Sequence, residues 1–311
     1  MSEPLARETQ FLHDAEMGLG AWSWGDRVFW NYGHGYTDDD IDAAFQTSVS
    51  GGVNIVDTAE IYGSGRSETL LGQFLKTTTT PVLVATKFMP FPWRLNRNAL
   101  MRSLDNSLER LGLDHIDLYQ IHFPFPPLPV EFWVEELAKA VKSGKAITAG
   151  VSNYSKTQMQ RAYTILSKYN IPLASNQVEY HLLDRTVEKN GLLARCIELG
   201  IRLIAYSPLA KGLLTGKYTP DTPPPGTRGR NSSGILKHIK PLIDLLTEIG
   251  AGHDEKTPGQ VALNWVICKG ALPIPGAKTA RQAEQNIGAK GWRLTGEEIK
   301  ALDEASERFT R

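Results

Sequence analysis

Four side chains that could together move a proton follow three neighbouring predicted strands. Asp57 follows the second strand, Tyr62 lies five residues further on, and Lys87 and His122 follow the third and fourth strands. A free tyrosine holds its proton with a pKa of about 10, and a nearby ammonium lowers that pKa because it stabilises the phenolate. A carboxylate would keep the lysine charged, and a histidine can hydrogen-bond a substrate oxygen. The set is therefore suited to protonating the oxyanion that forms when a carbonyl is attacked.

Each of the four residues also has an ordinary structural explanation. Asp57 could cap a helix or form an ion pair, and Tyr62 could anchor a loop. Lys87 could reach solvent from a strand end, and a lone histidine such as His122 is more often a satisfied core residue. Their positions after consecutive strands favour chemistry, because these strand ends would meet at one mouth of a barrel. Since no serine or cysteine stands beside a base, the attacking group is expected to be hydride from a cofactor.

The elements that would position these residues alternate between short apolar strands and amphipathic helices. The predicted strands cover residues 17–21, 53–56, 82–86, 116–121, 147–151, 174–178, 201–206 and 271–274. The predicted helices cover residues 37–50, 67–76, 97–111, 130–143, 156–169, 191–199, 235–250, 258–269, 279–288 and 296–307. The segment 208–234 is rich in proline and glycine and is predicted to be a long loop.

This alternation predicts an α/β fold with parallel strands and right-handed crossovers. Eight strand–helix units favour a closed (β/α)8 TIM barrel over an open sheet. No strand is followed by a complete GxGxxG motif, and no GxxxxGK[ST] motif is present. We therefore expect one barrel domain spanning residues 1–311, with a long loop after strand 7 and a helix at the C-terminus.

The composition excludes several classes of function. The 311 residues include 34 Lys plus Arg and 34 Asp plus Glu, so the zero net charge argues against nucleic acid as the main partner. The two cysteines, Cys196 and Cys268, are far apart and have no metal-type neighbours, which indicates a reduced cytoplasmic chain. No apolar run approaches the ~20 residues of a membrane span, and the N-terminus has no secretory pattern.

Short motifs at the strand ends carry a resemblance to a known family. In chain order they are Gly-Val-Asn-Ile-Val-Asp57-Thr-Ala-Glu-Ile-Tyr62-Gly, Ala-Thr-Lys87, Leu-Tyr-Gln-Ile-His122, Gly-Val-Ser152-Asn153-Tyr, Tyr206-Ser-Pro-Leu-Ala and Ile-Pro-Gly-Ala-Lys. Together they resemble the aldo-keto reductases over nearly the whole chain. The resemblance implies that Tyr62 is the general acid, tuned by Lys87 and Asp57, and that His122 orients the substrate carbonyl. Members that reduce steroid carbon–carbon double bonds carry glutamate at the position of His122, so reduction of C=O is implied here.

The resemblance also implies NADPH as the cofactor, bound in an extended form, with the loop after strand 7 folding over it. The residues implied to bind it are Trp22, Asp57, Ser152, Asn153, Gln177, Tyr206, Ser207, Pro208, Leu209, Gly212, Lys217, Arg228, Gly276, Lys278, Gln282, Gln285 and Asn286. Among them, Tyr206 would stack on the nicotinamide ring, and Lys278 would favour NADP by meeting the 2′-phosphate. Position 282 is glutamine where many members have arginine.

Aromatic residues near the predicted strand ends indicate the wall of a substrate pocket. The residues expected to bind substrate are Trp24, Phe88, Trp93 and Phe123. Aromatic walls suit a flat or apolar aldehyde. Finer motifs around the tryptophans resemble plant and cyanobacterial family members, and these include enzymes that reduce pyridoxal. Pyridoxal or another aromatic aldehyde is therefore the substrate hypothesis.

Two other classes of function remain open at this stage. Some barrels of this family are NADPH-binding regulatory subunits of ion channels, and they keep the same four catalytic residues. Fast oxidation of NADPH with aldehydes would indicate an enzyme, whereas tight binding with negligible turnover would indicate a sensor. A metal-dependent barrel hydrolase would need several strand-end ligands, and His122 is the one strand-end histidine, so no metal is expected. The oligomeric state is open, and a monomer is compatible with the sequence.

Overall fold

Eight parallel strands form one sheet whose order follows the chain, in a computed structural model that describes residues 9–309. The strands are β1 (Leu19–Gly20), β2 (Ile55–Asp57), β3 (Leu83–Phe88), β4 (Ile116–Ile121), β5 (Ala146–Ser152), β6 (Leu173–Glu179), β7 (Arg202–Tyr206) and β8 (Leu272–Ile274). A parallel bridge between Gly20 and Gly276 joins the first strand to the segment after the last. The Gly18 N–H also donates to the Pro273 carbonyl at 3.0 Å. The predicted (β/α)8 barrel is confirmed.

Glycine is required where the barrel closes. A Cβ atom at residue 20 would lie 2.8 Å from the carbonyl oxygen of Ile274, which is closer than two such atoms can approach. The absent side chain therefore lets β1 reach the end of β8.

Helices follow the strands and cover the outside of the barrel. They are α1 (Gln10–Asp14), α2 (Asp38–Ser50), α3 (Arg66–Leu75), α4 (Asn98–Leu111), α5 (Val130–Lys142), α6 (Lys156–Ser167), α7 (Thr186–Lys189), α8 (Leu192–Glu198), α9 (Thr227–Leu236), α10 (Lys240–Ala251), α11 (Pro258–Cys268), α12 (Ala280–Ile287) and α13 (Gly296–Ser306). Capping boxes begin α2 at Thr37, α6 at Ser155, α11 at Thr257 and α13 at Thr295. Each box satisfies backbone N–H groups that the first helical turn leaves unpaired.

The interior of the barrel is apolar at the N-terminal ends of the strands and polar at their carboxyl ends. Its buried apolar members are Leu12, Ile55, Ala85, Leu118, Ala174, Ile204, Leu272 and Ile274. Leu12 belongs to α1, is fully buried, and fills the N-terminal end of the barrel. The carboxyl ends of the strands are thus left as the open end, where the side chains of the site lie.

The structure differs from the sequence prediction in the segment after β7. Residues 208–234 are not one loop, because they contain a 3-10 helix (Ala210–Thr215) and most of α9. The predicted helix 235–250 is two helices, since α9 ends at Leu236 and α10 begins at Lys240. The sequence of α9 is rich in glycine, serine and arginine and has a weak apolar pattern, so periodicity could not find it.

The other differences are small. Helices α1 and α7 were not predicted, and they contain only five and four residues. The remaining predicted strands and helices shift by at most a few residues at their ends. The prediction of one domain spanning 1–311 includes residues 1–8 and 310–311, which lie outside the described residues, and it stays a prediction.

Candidate active site

The four residues with proton-transfer chemistry lie together at the carboxyl ends of β2, β3 and β4. The ammonium Nζ of Lys87 donates to Asp57 Oδ1 at 2.5 Å and to the Thr58 carbonyl at 2.7 Å. The same nitrogen lies 3.4 Å from the Tyr62 hydroxyl. The His122 and Tyr62 rings meet edge to face with centroids 5.7 Å apart. The structure therefore places a buried cation between a carboxylate and a phenol.

Backbone geometry fixes the position of Tyr62. It begins a short turn in which Gly63, Ser64 and Gly65 all have positive φ angles, of 55°, 56° and 90°. Glycine adopts this region without cost, whereas Ser64 is held there by its surroundings. A Cβ atom at residue 63 would lie 2.8 Å from the Gly25 backbone. The loop is thus packed against the segment after β1, and the phenol has little freedom to leave the lysine.

Burial controls the protonation of these groups. It raises the pKa of the Tyr62 phenol well above its usual value, and the Asp57 carboxylate raises it further. Burial lowers the pKa of Lys87, and Asp57 opposes this. Burial and the Lys87 charge hold the pKa of His122 well below 6.5. Tyr62 therefore keeps its proton at neutral pH until a strong base forms beside it, and His122 is a neutral imidazole.

Two glutamine amides hold the far side of the Asp57 carboxylate. Gln177 Nε2 donates to Asp57 Oδ2 at 2.8 Å, and Gln120 Nε2 donates to the same oxygen at 3.2 Å. The carboxylate is thus shared between one cation and two amides, and this removes its freedom to rotate. Gln120 was not among the predicted site residues. It lies two residues before His122, and strand alternation puts both on the same face of β4, so the sequence contained a signal for it.

Polar residues after β5 and β7 form a second connected set. Asn153 has a φ of 61° and donates through Nδ2 to the His122 carbonyl at 3.1 Å and to Ser152 Oγ at 3.0 Å. Ser152 Oγ donates to the Gln177 carbonyl at 2.9 Å. The Tyr206 hydroxyl donates to Asn153 Oδ1 at 3.0 Å. These contacts tie the ends of β5, β6 and β7 together beside the four central residues.

One cavity of about 860 Å³ opens over this region. Tyr62, His122 and Phe123 line it, as do all the residues that the resemblance implied for cofactor binding: Trp22, Asp57, Ser152, Asn153, Gln177, Tyr206, Ser207, Pro208, Leu209, Gly212, Lys217, Arg228, Gly276, Lys278, Gln282, Gln285 and Asn286. The structure thus brings the predicted residues to one surface, and what each of them binds stays a prediction.

Lys217, Arg228 and Lys278 form a positively charged region in the lining of the cavity. Burial, together with the nearby charges of Arg228 and Lys217, lowers the pKa of Lys278 to about 8. The Lys278 ammonium donates to the Trp30 carbonyl at 3.0 Å. These neighbouring cations repel one another, and a bound anion would offset that repulsion and favour their charged forms. Arg281, which the sequence prediction did not include, also lines the cavity and stands beside Gln282.

The ring of Trp30 contacts two of these cations. The Arg228 guanidinium is 4.9 Å and the Lys278 ammonium 4.8 Å from the centre of the Trp30 ring. Such contacts between a cation and an aromatic ring are attractive. Trp30 therefore connects the segment after β1 to the segments after β7 and β8.

Two of the four predicted substrate-binding residues are fully buried away from this cavity, so the prediction was wrong for them. Trp24 is fully buried, donates to the Ala277 carbonyl at 3.1 Å, and packs in the core. Phe88 is fully buried and packs outward against Trp133, with centroids 4.8 Å apart. Because Lys87 points into the barrel, strand alternation requires its neighbour Phe88 to point outward.

Trp93 is 73% exposed and stacks on Phe91 outside the cavity, and its part in substrate binding stays a prediction. The fourth residue, Phe123, does line the cavity. The centre of its ring lies 5.2 Å from that of the His122 ring and 4.8 Å from that of the Phe125 ring. The aromatic wall is completed by Trp22, which stacks on Phe29 at 5.0 Å. The wall is therefore built from the segments after β1 and β4.

Residues 9–309 contain neither a candidate metal site nor a candidate membrane span. In that part of the chain no three His, Cys, Asp or Glu side chains gather where they could hold a metal ion. None of the helices described there combines the length and the apolar character that crossing a bilayer requires.

Comparisons with known proteins agree with this geometry. The model of the Aldo/keto reductase family matches residues 16–307. The chain is 40% identical over 309 residues to the chloroplastic pyridoxal reductase of Arabidopsis thaliana, with 95% of this chain and 84% of the relative covered. A solved glycerol dehydrogenase from Gluconobacter oxydans has a TM-score of 0.80 at 29% identity, covering 95% of this chain and 92% of its own. An aldo-keto reductase from Klebsiella pneumoniae, solved in complex with NADPH, has a TM-score of 0.74 at 30% identity. The match covers 93% of this chain and 90% of that chain.

Proposed function

Because the chain belongs to the aldo/keto reductase family of nicotinamide-dependent oxidoreductases, we propose that it reduces an aldehyde or ketone to the alcohol with NADPH. The observation that carries the proposal is the buried Lys87 ammonium, which bonds Asp57 and lies 3.4 Å from the Tyr62 hydroxyl. That hydroxyl faces a cavity large enough for a cofactor and a substrate. A phenol supported in this way is a proton donor.

Each central residue has a separate task in this reaction. When bound, NADPH would supply hydride to the carbonyl carbon. Tyr62 gives its proton to the carbonyl oxygen, and the Lys87 ammonium stabilises the phenolate that remains. Asp57 holds Lys87 in place and keeps it charged. His122 is neutral and faces the cavity, so one ring N–H is available to hydrogen-bond the carbonyl oxygen before the proton moves.

The lining of the cavity fits a phosphorylated dinucleotide. Ser152, Asn153 and Gln177 offer amide and hydroxyl groups near Tyr62, which suits a nicotinamide carboxamide. Lys278 and Arg228 lie in the positive region, which suits phosphate and supports NADPH over NADH. We therefore expect Lys278→Met to raise the KM for NADPH by roughly tenfold or more and to leave the KM for NADH nearly unchanged. The exposed Lys300 is a suitable control for loss of a lysine charge.

For the substrate we propose an aromatic aldehyde, with pyridoxal as the first candidate. Trp22 and Phe123 give the cavity aromatic walls near Tyr62, and the 40% identical relative is a pyridoxal reductase by name. The test compares kcat/KM for pyridoxal, simple benzaldehydes and aliphatic aldehydes. Pyridoxal no better than benzaldehyde would contradict this choice of substrate and leave carbonyl reduction standing.

The experiment that tests the proposed reaction follows NADPH absorbance at 340 nm with a panel of aldehydes and ketones. Wild-type protein should turn over, and Tyr62→Phe should lose at least about a hundredfold in kcat, the usual range for a general acid. The exposed Tyr169 supplies the matched control, Tyr169→Phe, which should behave as wild type. Full activity in Tyr62→Phe would show that the proton comes from elsewhere. Tight NADPH binding without turnover of any carbonyl would favour a sensor instead.

Two other expectations belong with this proposal. A cytoplasmic location is proposed from the composition, and fractionation of the source cells with an antibody against the chain would test it. A monomer is proposed for the oligomeric state, and light scattering during size-exclusion chromatography would test it against the 34.4 kDa mass of the chain.

A further inference from the structure

Gln120 is a fully buried amide inside the barrel. The residues below it, including Leu118 two positions earlier on the same strand, form an apolar layer. Burying an amide costs free energy unless its polar atoms are paired. A leucine or methionine would fill the same place at lower cost, so the amide itself needs an explanation.

The hydrogen bonds of Gln120 give that explanation. Asp57 forms an ion pair with Lys87, and an ionised carboxylate can only accept hydrogen bonds. Both amides near Asp57 Oδ2 must therefore present their N–H groups, Gln177 at 2.8 Å and Gln120 at 3.2 Å. With its nitrogen so placed, the Gln120 oxygen Oε1 faces Gln177 Nε2 at 3.4 Å. The three side chains close a triangle in which each orients the other two.

The triangle also fixes which atom Gln177 turns toward the cavity. Its two N–H groups point to Asp57 and to Gln120. Gln177 lines the cavity, and the hydrogen-bonding group that it has left to offer there is the acceptor Oε1. A nicotinamide carboxamide carries two N–H donors that suit this acceptor. The orientation of Gln177 is therefore fixed in part by Gln120, which does not line the cavity.

Strand β5 leaves room for Gln120. Residue 150 pairs with residue 120 across β4 and β5, and it is glycine. A Cβ atom there would lie 2.9 Å from Gln120 Cγ and 2.5 Å from Ser175 Oγ. Gly150 thus provides the space that a straight-chain amide needs at this depth of the barrel.

We infer that Gln120 is a positioning residue that couples the proton-donating group, Asp57–Lys87–Tyr62, to the cofactor-holding amide of Gln177. The inference rests on the proposed function. It predicts one consequence for each of the two hydrogen bonds of Gln120, to Asp57 and to Gln177. Loss of the Gln120 donor leaves Asp57 more strongly negative, and this stabilises the protonated phenol of Tyr62. Loss of the Gln120 acceptor frees Gln177 to rotate, and this weakens cofactor binding.

The test uses the purified full chain with Gln120→Met, which keeps the shape of the side chain and removes both hydrogen bonds. We expect kcat to fall by about tenfold, as for the loss of a hydrogen bond to a charged group. The KM for NADPH should rise while the KM for the aldehyde stays unchanged. The alkaline limb of the pH–kcat profile should move to higher pH, because less of the Asp57 charge is offset.

A second variant, Gln120→Glu, tests the coupling by partial rescue. When protonated, the introduced acid can still donate to Asp57, whereas its ionised form repels that carboxylate. Its kcat should therefore approach the wild-type value as the pH is lowered, which Gln120→Met should not do. This comparison remains available if the methionine variant does not fold.

Ser175→Ala is the matched control. Its hydroxyl is buried in the same part of the barrel and has no hydrogen-bond partner among residues 9–309, so the substitution should leave the kinetics and the pH profile unchanged. If Gln120→Met folds and has wild-type kcat, NADPH KM and pH profile, the inference is overturned. An equal fall in kcat at every pH, with no change in NADPH KM and no rescue in Gln120→Glu, would assign Gln120 a merely structural role. Absence of turnover in the wild type would instead contradict the proposed function.

Discussion

Replacing Lys87 with methionine removes the cation beside the proton donor and keeps a side chain of similar length. Nζ lies 3.4 Å from the Tyr62 hydroxyl. At an effective dielectric constant of ~20, Coulomb's law gives about 5 kcal/mol for a full charge at that distance. If about half of the phenolate charge has developed in the transition state, kcat should fall by about 10², and complete development would give a fall of up to about 10⁴.

The same substitution affects the folded state. Lys87 is fully buried and bonds Asp57 at 2.5 Å, so the methionine variant leaves a buried carboxylate without its cation. Removing one partner of a buried ion pair costs about 3–5 kcal/mol. The double variant Asp57→Asn/Lys87→Met replaces the pair with neutral groups of similar shape. We expect it to regain most of the free energy of unfolding but none of the catalytic loss.

Activity and stability are therefore measured for each variant. Steady-state turnover at 340 nm gives kcat for each variant, and urea unfolding followed by tryptophan fluorescence gives the stability. Near-ultraviolet circular dichroism identifies preparations that are folded under assay conditions. If folded Lys87→Met keeps kcat within threefold of wild type, or if the double variant recovers activity along with stability, the ammonium is not the group that supports Tyr62.

Three further predictions concern pH, stability and the substrate wall. Burial and Lys87 hold the pKa of His122 well below 6.5, so the unfolded chain takes up a proton below about pH 6.5 that the native state does not. The free energy of unfolding should therefore fall as the pH falls below 6.5, with His122 contributing up to ~1.4 kcal/mol per pH unit; a slope in His122→Asn equal to that of wild type would contradict this. Leu12→Ala should lower the free energy of unfolding by about 2–5 kcal/mol without changing kcat of the folded enzyme, as urea unfolding and turnover would show. Phe123→Ala should raise the KM for aromatic aldehydes several-fold more than Trp93→Ala, and equal effects would contradict the assignment of the wall.

The positions of the four central residues could be predicted because they depend on strand ends. A parallel barrel brings the carboxyl ends of successive strands together whatever the loops do. Asp57, Lys87 and His122 lie at or directly after such ends, so the sequence order of the strands was enough to place them. Tyr62 follows a short loop, and the resemblance to the family supplied what spacing alone left open.

The aromatic wall could not be predicted in the same way. Trp22 and Trp24 are two residues apart, yet one lines the cavity and the other is in the core. They lie in an irregular segment, which has no period from which to read side-chain direction. Phe88 is different, because its strand has a period of two residues and its inward neighbour is Lys87. That error came from treating nearness in sequence as nearness in space.

Segments after β7 were hard to predict for an energetic reason. Helix α9 contains glycines and serines that favour a helix only weakly, and its sequence shows little apolar periodicity. Its first residues follow Gly226, which has a φ of 68°. Leu236 is buried in the core and Ile235 packs against it, so tertiary packing supports a helix that local preference favours only weakly.

The contacts of the Trp30 ring with Arg228 and Lys278 have a spectroscopic consequence. The two cations lie about 200 and about 250 residues after Trp30 in sequence, and all three residues are on the wall of the cavity. A dinucleotide that engages the same two cations must compete with the indole for them. Because these contacts would change when a dinucleotide binds, the fluorescence of the indole should report whether the site is occupied.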